Sequence, residues 1–227
     1  MDQTLKAGLQ GLCQGDPAIE RILSTRFEAV LGLLNRYVEE IELFNPAYGL
    51  VGAKDRQELV VKHILDSLAP LGIISQLIAG GCPNSPPCIA DVGSGAGLPG
   101  IPLAIALPQV SCTLIERSGR RVGFLRNTLA VLGLSSVAVE AGEMEKAGPG
   151  RFTLVTFRAF RPLDPAILKG LFRLLAPGGV LGAYKGRNDR IEAEMGSISK
   201  SMGNWEAIPT PVPFLEEERR MVIIKPF

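Results

Sequence analysis

The sequence predicts an α/β fold: a mainly parallel, doubly wound sheet of seven strands with helices on both faces, behind an N-terminal helical extension. Three observations carry this. From residue 88 to the end, short apolar runs alternate with helical patterns, which implies parallel strands covered on both faces. The first run, Ile89-Ala90-Asp91-Val92, enters a turn with glycine at 93, 95 and 97. Before residue 80, apolar residues recur at helical spacing.

Asp16-Pro17 is a helix start, with Asp as N-cap and Pro at the first helical position. Apolar residues from Ile19 to Ile41 then follow helical spacing as far as Asn45-Pro46, read as a helix-ending turn. A second helical stretch covers Arg56 to Leu77. The breaker run Gly80-Gly81-Cys82-Pro83-Asn84-Ser85-Pro86-Pro87 separates it from the rest, so the expected organisation is a helical extension (1–80), a linker (81–88) and a core (89–227). Strands are expected at Cys88–Val92, Val110–Glu116, Val137–Ala141, Leu154–Phe157, Val180–Tyr184, Ala207–Pro211 and Met221–Lys225. Helices are expected at Gly100–Leu107, Gly119–Leu132, Pro165–Leu175 and Asn188–Met202. The last two strands lack a helix between them and suit a terminal antiparallel hairpin.

At 227 residues, 46% hydrophobic and 21% charged, the chain is long enough for one sizeable core and is not disordered. No apolar run approaches the ~20 residues of a membrane span, and the first residues do not read as a signal peptide. Four cysteines without a C-x-x-C pair and one histidine argue against a metal cluster; reduced thiols and a cytoplasmic location are expected. The net charge of +1 hides an asymmetry: residues 1–44 carry four basic and seven acidic side chains, residues 117–190 thirteen and five. A basic segment at the ligand edge suits a polyanion, although a charge run also serves as a solvated face.

An apolar strand leading through glycines into a helix presents backbone amides to a nucleotide-like ligand. Glu116, ending the next expected strand, is placed to bond a ribose diol. Gly95, Gly97 and Gly100 formally match the dinucleotide fingerprint G-x-G-x-x-G. That site, however, wants its first glycine where the strand ends, which is Gly93, and its third would then fall on Leu98. Acid-x-G-x-G-x-G with a second acid on the next strand resembles motif I of the S-adenosylmethionine-dependent methyltransferases.

The resemblance extends further. Lys62-His63-Ile64-Leu65-Asp66-Ser67-Leu68, Asp91–Gly100, Gly119-Arg120-Arg121-Val122-Gly123-Phe124-Leu125-Arg126, Arg158-Ala159-Phe160 and Lys185-Gly186 occur in one order. Together they look like the RsmG (GidB) family of bacterial methyltransferases, from about residue 30 to the C-terminus. The resemblance implies a class I methyltransferase fold and S-adenosylmethionine as cofactor. It also implies methylation of guanine N7 in the decoding region of 16S ribosomal RNA, on the small subunit or an assembly intermediate, by a monomer.

Carried over by position, Asp91, Gly93, Gly95, Gly97 and Leu98 border the cofactor, Glu116 holds the ribose, and Met144 and Glu145 flank the adenine. Arg158 matches an arginine associated with that site. There are departures: Glu116 stands where Asp is frequent, Glu143 where Arg is, and Phe157 where Ser is, the last two bearing on the charge of the substrate-side wall.

Guanine N7 carries an in-plane lone pair, so no base need deprotonate it and catalysis can come from alignment. Recognition then matters most. Arg158 or Lys185 is expected to donate to guanine O6, and Asp66 to accept from its Watson–Crick edge. His63, three residues from Asp66, shares its helix face and is either a structural or a substrate-facing group. Arg120, Arg121, Arg126 and Arg161 are expected to meet RNA phosphates. Asn45-Pro46-Ala47-Tyr48 resembles the Asn-Pro-Pro-Tyr box of amino-group methyltransferases but lacks its second proline and precedes motif I. A small-molecule methyltransferase, an NAD-type oxidoreductase and a non-catalytic RNA-binding module remain open on the residues alone.

Overall fold

The computed structural model describes residues 2–80 and 86–227; most of the expected linker, with Cys82, lies outside the described residues. Seven strands form one sheet in the order β3-β2-β1-β4-β5-β7-β6. They are β1 (Cys88–Val92), β2 (Ser111–Glu116), β3 (Val137–Ala141), β4 (Phe152–Arg158), β5 (Leu175–Lys185), β6 (Trp205–Pro209) and β7 (Arg220–Ile224). β1 pairs in parallel with β2 and β4, β2 with β3, and β4 with β5. β7 is antiparallel to both β5 and β6. The order reverses at β1, so β1 and β4 part at their carboxyl ends, where open α/β sheets bind ligands.

The helices of the second half are α7 (Gly100–Ala106), α8 (Gly119–Leu132), α9 (Pro165–Leu174) and α10 (Asn188–Ile198). Expected and observed bounds agree within a few residues, except that β5 begins five residues early and α10 closes in a 3-10 turn, Ser199–Ser201.

The helical extension departs more from expectation. A helix α1 (Gln3–Gly15) precedes the expected start, capped by Asp2, whose Oδ1 accepts from Leu5 N at 2.9 Å. Asp16 does cap α2 (Pro17–Leu23), accepting from Ala18 N at 2.8 Å. The expected single helix then breaks at Ser24-Thr25, residues whose hydroxyls compete for backbone partners. It resumes as α3 (Phe27–Tyr48), which runs through Pro46 instead of ending there. Proline removes only one N–H close to the helix end, and Asn45 fixes the chain beyond it: its Oδ1 accepts from Leu50 N (2.7 Å) and Val51 N (3.0 Å). Gly49, at φ 57°, closes the turn.

The second stretch is α4 (Arg56–Leu59), a π-helical segment Val60–Leu65 and α5 (Asp66–Leu68), with Pro70 separating them from α6 (Leu71–Ala79). One continuous apolar core joins extension and sheet: Leu5, Leu9, Leu34, Ile64 and Leu68 pack in the same cluster as Ile101, Leu114 and Leu125. A second core fills the opposite face, around Phe152, Phe157, Leu168 and Met195. The extension therefore covers one face of the sheet.

Candidate active site

The glycine turn is built by its neighbours. Gly93, Gly95 and Gly97 have φ of 70°, 60° and 94°, a region costly for any residue with a Cβ. Gly93 N donates to Ile115 O at 2.9 Å, tying the turn to β2. A Cβ on Gly93 would sit 3.0 Å from the Phe160 ring, and one on Gly97 2.5 Å from Ile101 Cδ1. Gly100 is required for a different reason: its Cβ would lie 2.3 Å from Leu114 Cδ2 and 2.9 Å from Asp91 Oδ2, so α7 starts hard against the sheet. Tyr37, wholly buried on α3, donates its hydroxyl to Ala96 O at 2.8 Å and holds the turn from the far side.

Asp91 is fully buried and accepts from Gly100 N at 3.0 Å through Oδ2. Burial pushes its carboxyl up to about 7, against the pull of the Gly100 N–H and the Arg158 charge. Glu116 divides its carboxylate between two loops: Oε2 accepts from Gly95 N (2.9 Å) and Oε1 from Ser118 N (2.8 Å). Each oxygen keeps a second lone pair.

A cavity of about 320 Å³ opens at the carboxyl ends of these strands. Val92, Gly93, Ile115 and Glu116 line one side, Gly142, Glu143, Met144 and Glu145 another, and Ala159, Phe160 and Arg161 a third, with Arg117 and Arg121 also in the lining. Arg161 Nη2 meets Glu145 Oε1 at 3.0 Å, and its guanidinium lies 5.4 Å over the Phe160 ring.

Beside it sits a charged cluster. Arg158 Nη1 donates to Asp66 Oδ2 at 2.8 Å and to the Lys62 carbonyl at 3.3 Å, and Nη2 meets His63 Nδ1 at 3.2 Å. Arginine has no acceptor, so His63 Nδ1 must accept and the ring is neutral there. Burial first, then the Arg158 charge, lowers the His63 pKa, with the Gly52 carbonyl partly opposing. The other carboxylate oxygen of Asp66 takes Arg219 Nε at 3.1 Å. The expected shared face of His63 and Asp66 is thus observed, and its occupant is Arg158.

Several expected site residues fall elsewhere. Asp91, Gly95, Gly97 and Leu98 shape the turn but do not line the cavity; Leu98 is 6% exposed and part of the core. Asp66, 6% exposed, has both oxygens engaged by guanidinium groups, Arg158 on one and Arg219 on the other. Lys185 lies in a separate hollow of about 520 Å³ with Arg187, Arg190 and Arg219, its Nζ 2.8 Å from Glu194 Oε2. Phe157 is buried under Phe160, ring centroids 5.9 Å apart, and forms no part of the wall, whereas Glu143 does. Arg120 stands over Tyr48 at 6.0 Å, and Arg126 is exposed. Arg219, Tyr37 and Arg117 were not singled out in the sequence. Arg219 sits in the charge run Glu216-Glu217-Glu218-Arg219-Arg220, which gives no register to say which member turns inward.

The cavity's residues suit S-adenosylmethionine. A carboxylate with spare lone pairs ends β2, a glycine without Cβ ends β1, and Val92, Ile115 and Met144 offer apolar walls to a flat ring. Solved structures share the fold at the level of the chain trace. The precorrin-6y C5,15-methyltransferase of Geobacter metallireducens superposes with TM-score 0.52, 14% identity, over 79% of this chain and 95% of that one. The tRNA (m1A58) methyltransferase TrmI of Aquifex aeolicus does so with TM-score 0.54, 15% identity, over 72% and 68%. The fold is that of a class I S-adenosylmethionine-dependent methyltransferase.

The family described as rRNA small subunit methyltransferase G matches residues 31–223, and the chain belongs to it. Ribosomal RNA small subunit methyltransferase G of Treponema denticola is 39% identical over 216 residues, 85% of each chain. That of Cellvibrio japonicus is 34% identical over 97% of this chain and 92% of its own. Among the described residues no group of side chains suits a metal ion, and no helix is long and apolar enough to cross a membrane.

Proposed function

We propose that this protein transfers the methyl group of S-adenosylmethionine to N7 of a guanine in 16S ribosomal RNA of the small subunit. The observation that carries the reading is the cavity at the carboxyl ends of β1, β2 and β4, with Glu116 on its floor and arginines in its lining. Arg117, Arg120, Arg121 and Arg126 form no ion pair among the described residues, so their charge is available to phosphates.

When bound, the cofactor supplies an electrophilic methyl on a sulfonium. Glu116 would accept from the ribose hydroxyls, and Met144 and Glu145 would flank the adenine. Guanine N7 carries its own lone pair and needs no base, which leaves alignment and exclusion of water as the protein's tasks. Asp66, His63 and Arg158 serve alignment as positioning residues. Together they anchor the end of β4, where Ala159 adopts φ 48° and Phe160 and Arg161 turn into the cavity; such backbone strain persists only where neighbours impose it.

The test is transfer of labelled methyl from S-adenosylmethionine to unmodified small subunits, followed by nucleoside identification. Labelled 7-methylguanosine is expected. Cofactor binding without labelled RNA, or label on another atom, overturns the substrate assignment.

A further inference from the structure

We infer that Arg173 is a positioning residue for cofactor binding: from the outer face of α9 it holds the turn that carries the cavity's Met144–Glu145 wall. This rests on the reading of the cavity as the S-adenosylmethionine site.

The wall is a short 3-10 turn, Met144–Lys146, between β3 and β4. Within the turn, Lys146 N donates to Glu143 O and Ala147 N to Met144 O. A single turn of this kind has little stability of its own. Arg173 lies in the last turn of α9, and its Nη2 donates to Met144 O (2.9 Å), Glu145 O (3.0 Å) and Ala147 O (2.7 Å). One cationic nitrogen thus gathers three carbonyls that point the same way, an arrangement stronger than neutral hydrogen bonds.

Two further contacts make α9 the template for this wall. Gly170, one turn before Arg173, is bare where Met144 crosses: a Cβ there would stand 3.0 Å from Met144 Cε. The backbone of the same helix end fixes the chain after the turn, with Gly150 N donating to Arg173 O and Arg151 N to Leu174 O, both at 2.9 Å. Met144 and Glu145 of the turn also line the cavity. Met144 is buried in the wall, and Glu145 reaches Arg161 at 3.0 Å. Arg173 therefore touches no ligand, yet it sets where both flanks of the adenine region stand.

The experiment is calorimetric titration of S-adenosylmethionine and S-adenosylhomocysteine into the purified full chain, with steady-state KM values for cofactor and for small subunits. For Arg173→Ala we expect Kd for both compounds to rise about tenfold, KM for the cofactor to follow, and KM for the RNA substrate to stay within twofold. Arg173→Lys, which retains a cationic donor, is expected to recover most of the loss. A merely structural arginine would raise both KM values together or neither.

Unchanged Kd in Arg173→Ala, or parallel loss for cofactor and RNA, overturns the inference. Should Arg173→Ala fail to fold, Arg173→Gln, which removes the cation and shortens the reach to the turn, decides it: wild-type Kd there sinks the inference. Glu116→Ala separates the two readings. If it also binds cofactor normally, the cavity assignment fails. If it loses binding while Arg173→Ala does not, only the role of Arg173 fails.

Discussion

Replacing Asp66 by Asn keeps the side chain's shape but removes the charge shared by Arg158 and Arg219. The contacts are 2.8 Å and 3.1 Å, and the side-chain exposures are 7% for Asp66, 14% for Arg158 and 26% for Arg219. At an effective dielectric constant of about 20, each charge pair is worth roughly 4 kcal/mol of attraction. The carboxylate's own desolvation offsets a large part. Breaking a buried pair from one side costs about 3–5 kcal/mol; with the amide oxygen still accepting one hydrogen bond, about 3 kcal/mol is expected. For a chain of this size that lowers Tm by roughly 6–12 °C. Thermal denaturation of Asp66→Asn, with cofactor Kd and single-turnover methyl transfer, is the assay. The expected pattern is a lower Tm, cofactor affinity within threefold of wild type, and a transfer rate reduced by about ten- to a hundredfold through misplacement of the Arg158–Arg161 turn. An unchanged Tm with a collapsed rate would refute the reasoning, since Asp66 would then act on the RNA base itself.

Three other outcomes follow from the same geometry. Gly93→Ala places a Cβ in a left-handed backbone position and against Phe160; a loss of about 1–2 kcal/mol and weaker cofactor binding are expected, checked by denaturant melts and titration. The buried Asp91, raised to about 7 from its ordinary 3.8, binds its proton more tightly folded than unfolded. Its contribution is full below pH 4 and lost as pH rises through 7, about 2–3 kcal/mol between pH 5 and pH 8. Asp91→Asn should therefore compare more favourably with wild type at pH 8 than at pH 5, and an opposite trend in chemical melts would count against buried ionisation. His63, lowered in the fold, has the reverse sign, losing stability as pH falls below its ordinary 6.5. Finally, Arg121→Gln and Arg126→Gln should each flatten the salt dependence of RNA binding by about one unit of slope, read from filter binding across a salt series, without altering cofactor Kd.

The second half of the fold was legible because each signal there is local. Alternation of apolar runs with helices gives strands and parallel topology, and glycines at 93, 95 and 97 can be read as a turn since backbone strain is a property of single residues. Glu116 followed from its place at a strand end. The helical extension was read less well: α1 went unnoticed because its buried face, Leu5, Leu9 and Leu12, shares the segment with three glycines and three glutamines that dilute the pattern. Pro46 was read as a stop because the hold by Asn45 depends on a turn that forms only beyond it.

By itself the sequence determined the class of sheet, the glycine turn at the end of β1 and the acid that ends β2. Only the tertiary structure decided what the charged residues do. Asp66, Arg158 and Arg219 are separated by up to 153 positions in the chain and meet within 3.1 Å, so the carboxylate expected to read a base is held between two guanidinium groups. Arg173 likewise reads as a surface charge until α9 packs against the turn it holds. Periodicity records which face of an element is buried, whereas the partner of a charge is set by how distant elements cross.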